Sequence, residues 1–192
     1  MEQASSLTKN GPQPARSSLI QRLRVPLGFL FGFLFIWFAE PRPIVLLAGI
    51  VIALPGLLLR LWASGHLQKH RRLTISGPYR WTRNPLYLGS FLMGLGLCIA
   101  SGRLPILLLF IALFFLVYHP VMKKEEAELA SAYADDYREY RKRVPLFLPL
   151  PGRSGLPAEG NFSTRQVILN EEYKAIVGFL LIVAFLITRV NW

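Results

Sequence analysis

Two polar patches in a mostly apolar chain carry the residue types that can do chemistry. The first is Gly77-Pro78-Tyr79-Arg80-Trp81-Thr82-Arg83-Asn84-Pro85-Leu86-Tyr87-Leu88-Gly89, a cationic and aromatic segment that runs straight into an apolar stretch. The second is the acid pair Glu125-Glu126, where the chain returns from the next apolar stretch. If those stretches pair as a short-turn hairpin, Arg83 and Asn84 come level with the two acids. A carboxylate withdrawn from water requires a cationic partner, which Arg83 or a cationic ligand supplies. The layout suits a small charged cofactor held at a membrane boundary. The plainer reading of Glu125 and Glu126 is a solvated acidic helix start that complements the helix dipole.

Other constellations are weaker. His66 and His70 stand four apart, as metal pairs do, but no carboxylate, cysteine or third histidine completes a ligand set. Lys69, Arg71 and Arg72 would also repel a metal ion, so no metal is expected. No Ser-His-Asp arrangement, phosphate-binding loop or dinucleotide glycine pattern is visible. Cys98 is the sole cysteine and lies in an apolar run, which excludes a disulfide within the chain and argues against thiolate chemistry.

The elements that must position these patches are membrane helices. Of 192 residues, 53% are hydrophobic and 17% charged, with mean hydropathy +0.38. The apolar residues cluster in runs near the length of a bilayer span. The expectation is an all-α polytopic membrane protein of about five transmembrane helices plus a cytoplasmic amphipathic helix. The spans fall near 25–39, 44–63, 85–101, 104–121 and 171–192. Residues 1–18 read as a disordered cytoplasmic tail. Residues 19–150 form the core, with a polar loop over 65–89 and the cytoplasmic helix over 123–143. Residues 151–192 hold a connector and the fifth span, with Asn170 as its cap. No cleavable signal peptide is evident.

Within those spans, Pro55 and Gly56 are candidates for a kink in the second. Arg60 has two readings, a side chain snorkelling to headgroups and a charge facing a polar cavity. Gly89, Gly94 and Gly96 give the third span a surface for close packing. In the cytoplasmic helix, Glu126, Ala130, Tyr133, Tyr137, Tyr140 and Val144 recur three and four apart, so they share one face.

The net charge of +11 reports topology rather than nucleic-acid binding. Basic residues precede the first run, lie between the second and third, and crowd between the fourth and fifth. Only Arg42, Arg103 and Arg189 fall at the other ends. The positive-inside rule makes the crowded face cytoplasmic, with the N-terminus inside and some attraction to anionic lipids.

The pattern from Gly77 to Gly89, joined to Glu125-Glu126-x-x-Leu129 and to Tyr137-x-x-Tyr140-x-x-x-Val144-Pro145, resembles the isoprenylcysteine carboxyl methyltransferase and phospholipid methyltransferase superfamily. The resemblance covers roughly residues 60–149. Its members are integral-membrane enzymes that use S-adenosylmethionine. The family motif usually has histidine where this chain has Asn84, a form that also resembles phosphatidylethanolamine methyltransferases. The resemblance implies that Tyr79, Arg83, Asn84, Pro85, Tyr87, Gly89, Glu125 and Glu126 line the cofactor pocket, with Arg83 and Glu126 closest to the chemistry. It implies a lipid-like or prenylated acceptor, methylated at a carboxylate or an amine, which enters from the bilayer. Two rivals remain at this stage. A nicotinamide-dependent reductase of the sterol-reductase type has a similar Arg-x-Pro-x-Tyr segment, and a non-enzymatic lipid-binding or scaffold protein needs no cofactor.

Overall fold

A computed structural model describes residues 19–68, 73–149 and 160–190, with side chains from residue 25 onward. The expected tail over 1–18, the part of the polar loop with Lys69, His70, Arg71 and Arg72, the first part of the connector and the last two residues lie outside the described residues. Among the described residues every regular element is helical: α1 (Leu19–Phe38), α2 (Pro43–His66), a 3-10 turn (Gly77–Arg80), α3 (Pro85–Ala100), α4 (Leu104–Arg143), α5 (Thr164–Leu169) and α6 (Tyr173–Thr188). Two of these, α2 and α4, are long and apolar enough to cross a membrane. Three shorter apolar helices, Val25–Phe38, Pro85–Ala100 and Tyr173–Thr188, stand beside them.

The five apolar helices alternate in direction. The α1–α2 turn meets the α3–α4 turn, where the Glu40 N–H donates to the Ser101 carbonyl at 2.8 Å and Arg103 pairs with Glu40. Gly102 adopts φ +72 there, directly over the Glu40 carbonyl, so a side chain would meet backbone. The end of α6 joins the same group, with Arg189 donating to the carbonyls of Trp37 and Ala39, each at 3.3 Å. Both Arg103 and Arg189, two of the three bases expected away from the basic face, are therefore at one end. Phe35, Leu46, Cys98, Ile106 and Leu186 close that end as a shared apolar cluster.

The tightest seam is α2 on α3. A Cβ at Gly49 would stand 2.4 Å from the Gly96 carbonyl, and one at Gly56 2.4 Å from the Met93 nitrogen. Gly89 and Gly96 complete the seam from the other side. Small residues let the two backbones touch, which is how helices gain dispersion energy where lipid removes the hydrophobic drive. Gly94 serves a different seam, facing the Phe110 ring of α4. Helix α2 runs through Pro55 with no break in its backbone. Outside this packing the helices present large apolar side chains, such as Phe29 at 77% and Ile44 at 83% exposure. Such a belt is stable only in an apolar medium.

Helix α4 departs from expectation in its far half. The fourth span and the cytoplasmic helix are continuous, without a break near residue 122, and the break falls at Ala134, where φ is 34 and ψ −106. The chain folds back there. Arg141 reaches the Glu126 carboxylate at 3.1 Å, whereas a straight helix would separate those residues by roughly 22 Å. Tyr137, Tyr140 and Val144 are buried, packed with Leu129 and Tyr133 and capped by Leu73 and Ile75. Ala130, placed on that stripe by periodicity, is exposed. The stripe therefore closes by folding back over itself rather than by facing one neighbour along its length.

The chain's last helix also begins later than its pattern suggests. Helix α6 starts at Tyr173, and α5 occupies part of the expected connector. Asn170 caps α2 instead, its amide donating to the Ser64 carbonyl at 3.0 Å and to Leu67 at 3.3 Å. Those are carbonyls of the α2 end, which have no partner within the helix.

Candidate functional site

The polar segment before α3 is shaped by its own prolines and glycine. Gly77 takes φ +58 against the His66 ring, and Pro78 opens a single 3-10 turn. Pro85 sits at the first position of α3, where its missing N–H removes no hydrogen bond. Between them the Arg83 N–H donates to the Pro145 carbonyl at 2.9 Å, and the Asn84 amide donates to the Leu146 carbonyl at 2.9 Å. The extended segment after α4 thus pins the loop in place. Tyr140 adds a third tie, its hydroxyl donating to the Tyr79 carbonyl at 2.8 Å.

That pinning delivers Arg83 to Glu126. The two form a largely buried ion pair, with Glu126 only 7% exposed. Arg83 also donates to the Tyr137 hydroxyl at 3.1 Å. Lys123 contacts the same carboxylate at 2.9 Å and Arg141 at 3.1 Å. Burial by itself would raise the Glu126 carboxyl, but hydrogen bonds from Arg83 and Lys123 outweigh it and hold the group below the usual carboxylate range. Glu126 stands beyond the apolar part of α4, in its charged half. One donor of this cluster has no acceptor: Arg83 Nε is buried and unpartnered, as is Arg80 Nε in the same loop.

Glu125 lies beside this pair and accepts from the Tyr87 hydroxyl at 2.6 Å. The Tyr87 ring packs 5.4 Å from Tyr118 and lines a cavity of ≈ 340 Å³ between α1 and the α3–α4 hairpin. Leu27, Phe31, Phe114 and Val117 make most of that cavity apolar. Tyr79 is buried nearby. Burial raises its hydroxyl pKa most, the negative charges of Glu125 and Glu172 raise it further, and Arg60 opposes them.

The structure thus brings Arg83, Glu126, Tyr87 and Glu125 together, in two adjoining contacts. Asn84 and Pro85 act on the backbone of the loop and helix start. Gly89 is at the α2–α3 seam, where a Cβ would stand 2.7 Å from both the Gly56 carbonyl and Arg60 Cγ. Sequence reasoning did not single out Lys123, Arg141 or Tyr137 as site residues: Arg141 and Tyr137 converge only through the fold at Ala134, whereas Lys123 lies one helical turn before Glu126 and was legible from its spacing. It also missed Glu172. Arg60 faces inward and not toward headgroups: it pairs with Glu172 at 2.8 Å and contacts Ser90. Opposite charges at the ends of two apolar helices were the available signal. No group of three potential metal ligands occurs among the described residues.

Comparison with known proteins matches the segment that carries these residues. Residues 57–136 match the family model of phospholipid methyltransferases. The chain is 35% identical over 82 residues to a protein-S-isoprenylcysteine O-methyltransferase of Schizosaccharomyces pombe, covering 43% of this chain and 35% of that protein. It is 35% identical over 103 residues to the cobalt-zinc-cadmium resistance protein CzcN of Cupriavidus metallidurans, covering 53% and 46%. It is 31% identical over 117 residues to the nickel-cobalt-cadmium resistance protein NccN of Alcaligenes xylosoxydans xylosoxydans, covering 59% and 52%. The chain spans about a third to a half of the length of these relatives. No solved structure matches. The matched segment runs from the second half of α2 through the loop and α3 to the fold in α4, and so contains Arg83, Tyr87 and both acids. Residues 57–136 are thus similar to phospholipid methyltransferases, in line with the resemblance carried by the Gly77–Gly89 and Glu125-Glu126 pattern.

Proposed function

We propose that this chain transfers a methyl group from S-adenosylmethionine to a hydrophobic acceptor at the cytoplasmic face of a membrane. The observation that carries this reading is the buried Arg83–Glu126 pair, held where the loop before α3 meets α4, with an Arg83 donor left over. S-adenosylmethionine fits such a donor set because it combines a carboxylate with an ammonium and a sulfonium. The unpartnered Nε atoms of Arg83 and Arg80 suit the carboxylate. Glu125 suits the ammonium or the ribose hydroxyls. Tyr79 and Tyr87 offer aromatic faces to a cation. When bound, the cofactor supplies a methyl group on a positively charged sulfur, which leaves as a neutral thioether.

The chain's own contribution is alignment and exclusion of water. Displacement at a methyl carbon disperses charge, so a dry and aligned site accounts for much of the acceleration. Tyr87 serves both sides of the site, with its hydroxyl on Glu125 and its ring in the apolar cavity. The cavity beside α1 accommodates an acceptor's apolar tail entering from the bilayer. A carboxylate acceptor is anionic already and needs no base. An amine acceptor must lose a proton, and a glutamate such as Glu125, or water, takes it in this reading. The name of the fission-yeast relative favours a prenylated carboxylate, and that of the family model favours a phospholipid. Both share an apolar tail. The cytoplasmic assignment rests on the distribution of basic residues.

Titration of the detergent-purified chain with S-adenosylhomocysteine and, separately, NADPH tests the reading. Binding of the first and not the second is expected. Arg83→Ala should weaken that binding by about tenfold or more, the loss of one charge-assisted contact, and Glu126→Gln should do so by releasing Arg83 from its position. Wild-type affinity in both variants would remove the site, and a response to NADPH alone would favour the reductase.

A further inference from the structure

Helix α6 lies beyond the segment that matches the methyltransferase family, yet it is tied to that segment by one buried fork. Glu172, 5% exposed at the start of α6, accepts from Arg60 Nε at 3.0 Å and Nη2 at 2.8 Å. The geometry is the two-pronged guanidinium–carboxylate contact that fixes orientation as well as distance. Two further contacts dock the turn before α6. Asn170 caps the end of α2, and the Ser163 N–H donates to the Gly65 carbonyl at 3.0 Å. The other prong of Arg60 points into the family motif. Its Nη1 contacts the Ser90 hydroxyl and lies 3.5 Å from the Leu86 carbonyl, while Ser90 itself donates to Leu86 at 2.9 Å. Leu86 and Ser90 bracket Tyr87, whose hydroxyl holds Glu125.

Resting on the methyltransferase reading above, we infer that Glu172 is a positioning residue for cofactor binding, acting through Arg60 on the first turn of α3. The relay is continuous. Glu172 orients the guanidinium, the guanidinium steadies Leu86 and Ser90, and that turn sets the Tyr87 hydroxyl against Glu125. The last helix thereby completes the site rather than only anchoring the chain. A guanidinium without its carboxylate would turn toward solvent or toward Glu125, and either motion misplaces the acid that Tyr87 holds. A misplacement of about 1 Å, caused far from the reacting atoms, costs up to about a hundredfold in rate.

Binding of S-adenosylhomocysteine to the whole 192-residue chain, measured by calorimetry beside a thermal-unfolding curve, tests this. Glu172→Gln keeps the shape and removes the charge, and should weaken binding about tenfold or more. Tyr87→Phe should weaken it similarly, and the double variant should be no weaker than the poorer single one, since both break the same relay. Glu171→Gln, on the exposed neighbouring pair with Lys174, should bind as wild type. The reversed pair Arg60→Glu with Glu172→Arg separates positioning from mere strapping. It should recover unfolding temperature without recovering affinity, because a carboxylate at position 60 cannot donate to the Leu86 carbonyl. Unaltered affinity in Glu172→Gln, additive losses in the double variant, or recovery of both properties in the reversed pair would each overturn the inference alone. A wild-type chain that takes up no S-adenosylhomocysteine would instead end the methyltransferase reading and this inference with it.

Discussion

Glu126 carries three cations on one carboxylate, and its ionisation state follows from that count. Because Arg83 and Lys123 hold the carboxyl below its ordinary value of 4.5, the group binds its proton less readily in the folded chain than in the unfolded one. Its stabilisation is therefore fully present above that ordinary value and is lost as pH falls through the folded one. Removing one partner of a buried pair costs about 3–5 kcal/mol. Glu126→Gln, which cannot titrate, provides the comparison. The gap in unfolding temperature between wild type and this variant should stay level from pH 8 to about pH 5.5 and narrow below it. A gap that widens on acidification would mean that the carboxyl is protonated in the folded chain.

Helix α4 stores strain where it folds back. Ala134 at φ 34 occupies a region that L side chains rarely adopt, and burial of Tyr137, Tyr140 and Val144 against Leu73 and Ile75 offsets the cost. Periodicity identified those three residues correctly because each short helical stretch obeys it. It placed Ala130 wrongly because it assumed one straight axis. Ala134→Gly separates the two geometries by sign. At a folded-back residue glycine should raise stability by about 1 kcal/mol, whereas in a straight helix interior it would lower it by about as much. Chemical denaturation monitored by helical circular dichroism reads the difference. A loss of stability would restore the straight helix and detach Arg141 from Glu126.

For the molecule as a whole, the alternation of five apolar helices gathers one set of turns at the Glu40–Arg103 end and the polar site at the other. The orientation in a membrane is a prediction from charge. Starting from Cys98→Ser, single cysteines at exposed positions 124 and 42 can be tested with a membrane-impermeant thiol reagent. Lys124→Cys should react only in inside-out vesicles and Arg42→Cys only in right-side-out ones. The opposite pattern would place the site outside and invalidate the charge rule for this chain.

The amino-acid sequence alone determined the helical class, the small-residue surface of α3 and the candidacy of Arg83 as a partner for an acid of α4. Each of these depends on local periodicity, on proline and glycine geometry, or on the short turn of one hairpin. Where the glycines of α3 divide between two neighbours, where Asn170 spends its amide, and which charges meet across α2 and α6 were decided only in three dimensions. Arg60 and Glu172 are 112 residues apart, and no pattern along the chain encodes their distance. They pair because a carboxylate buried at a helix seam is stable only beside an opposite charge.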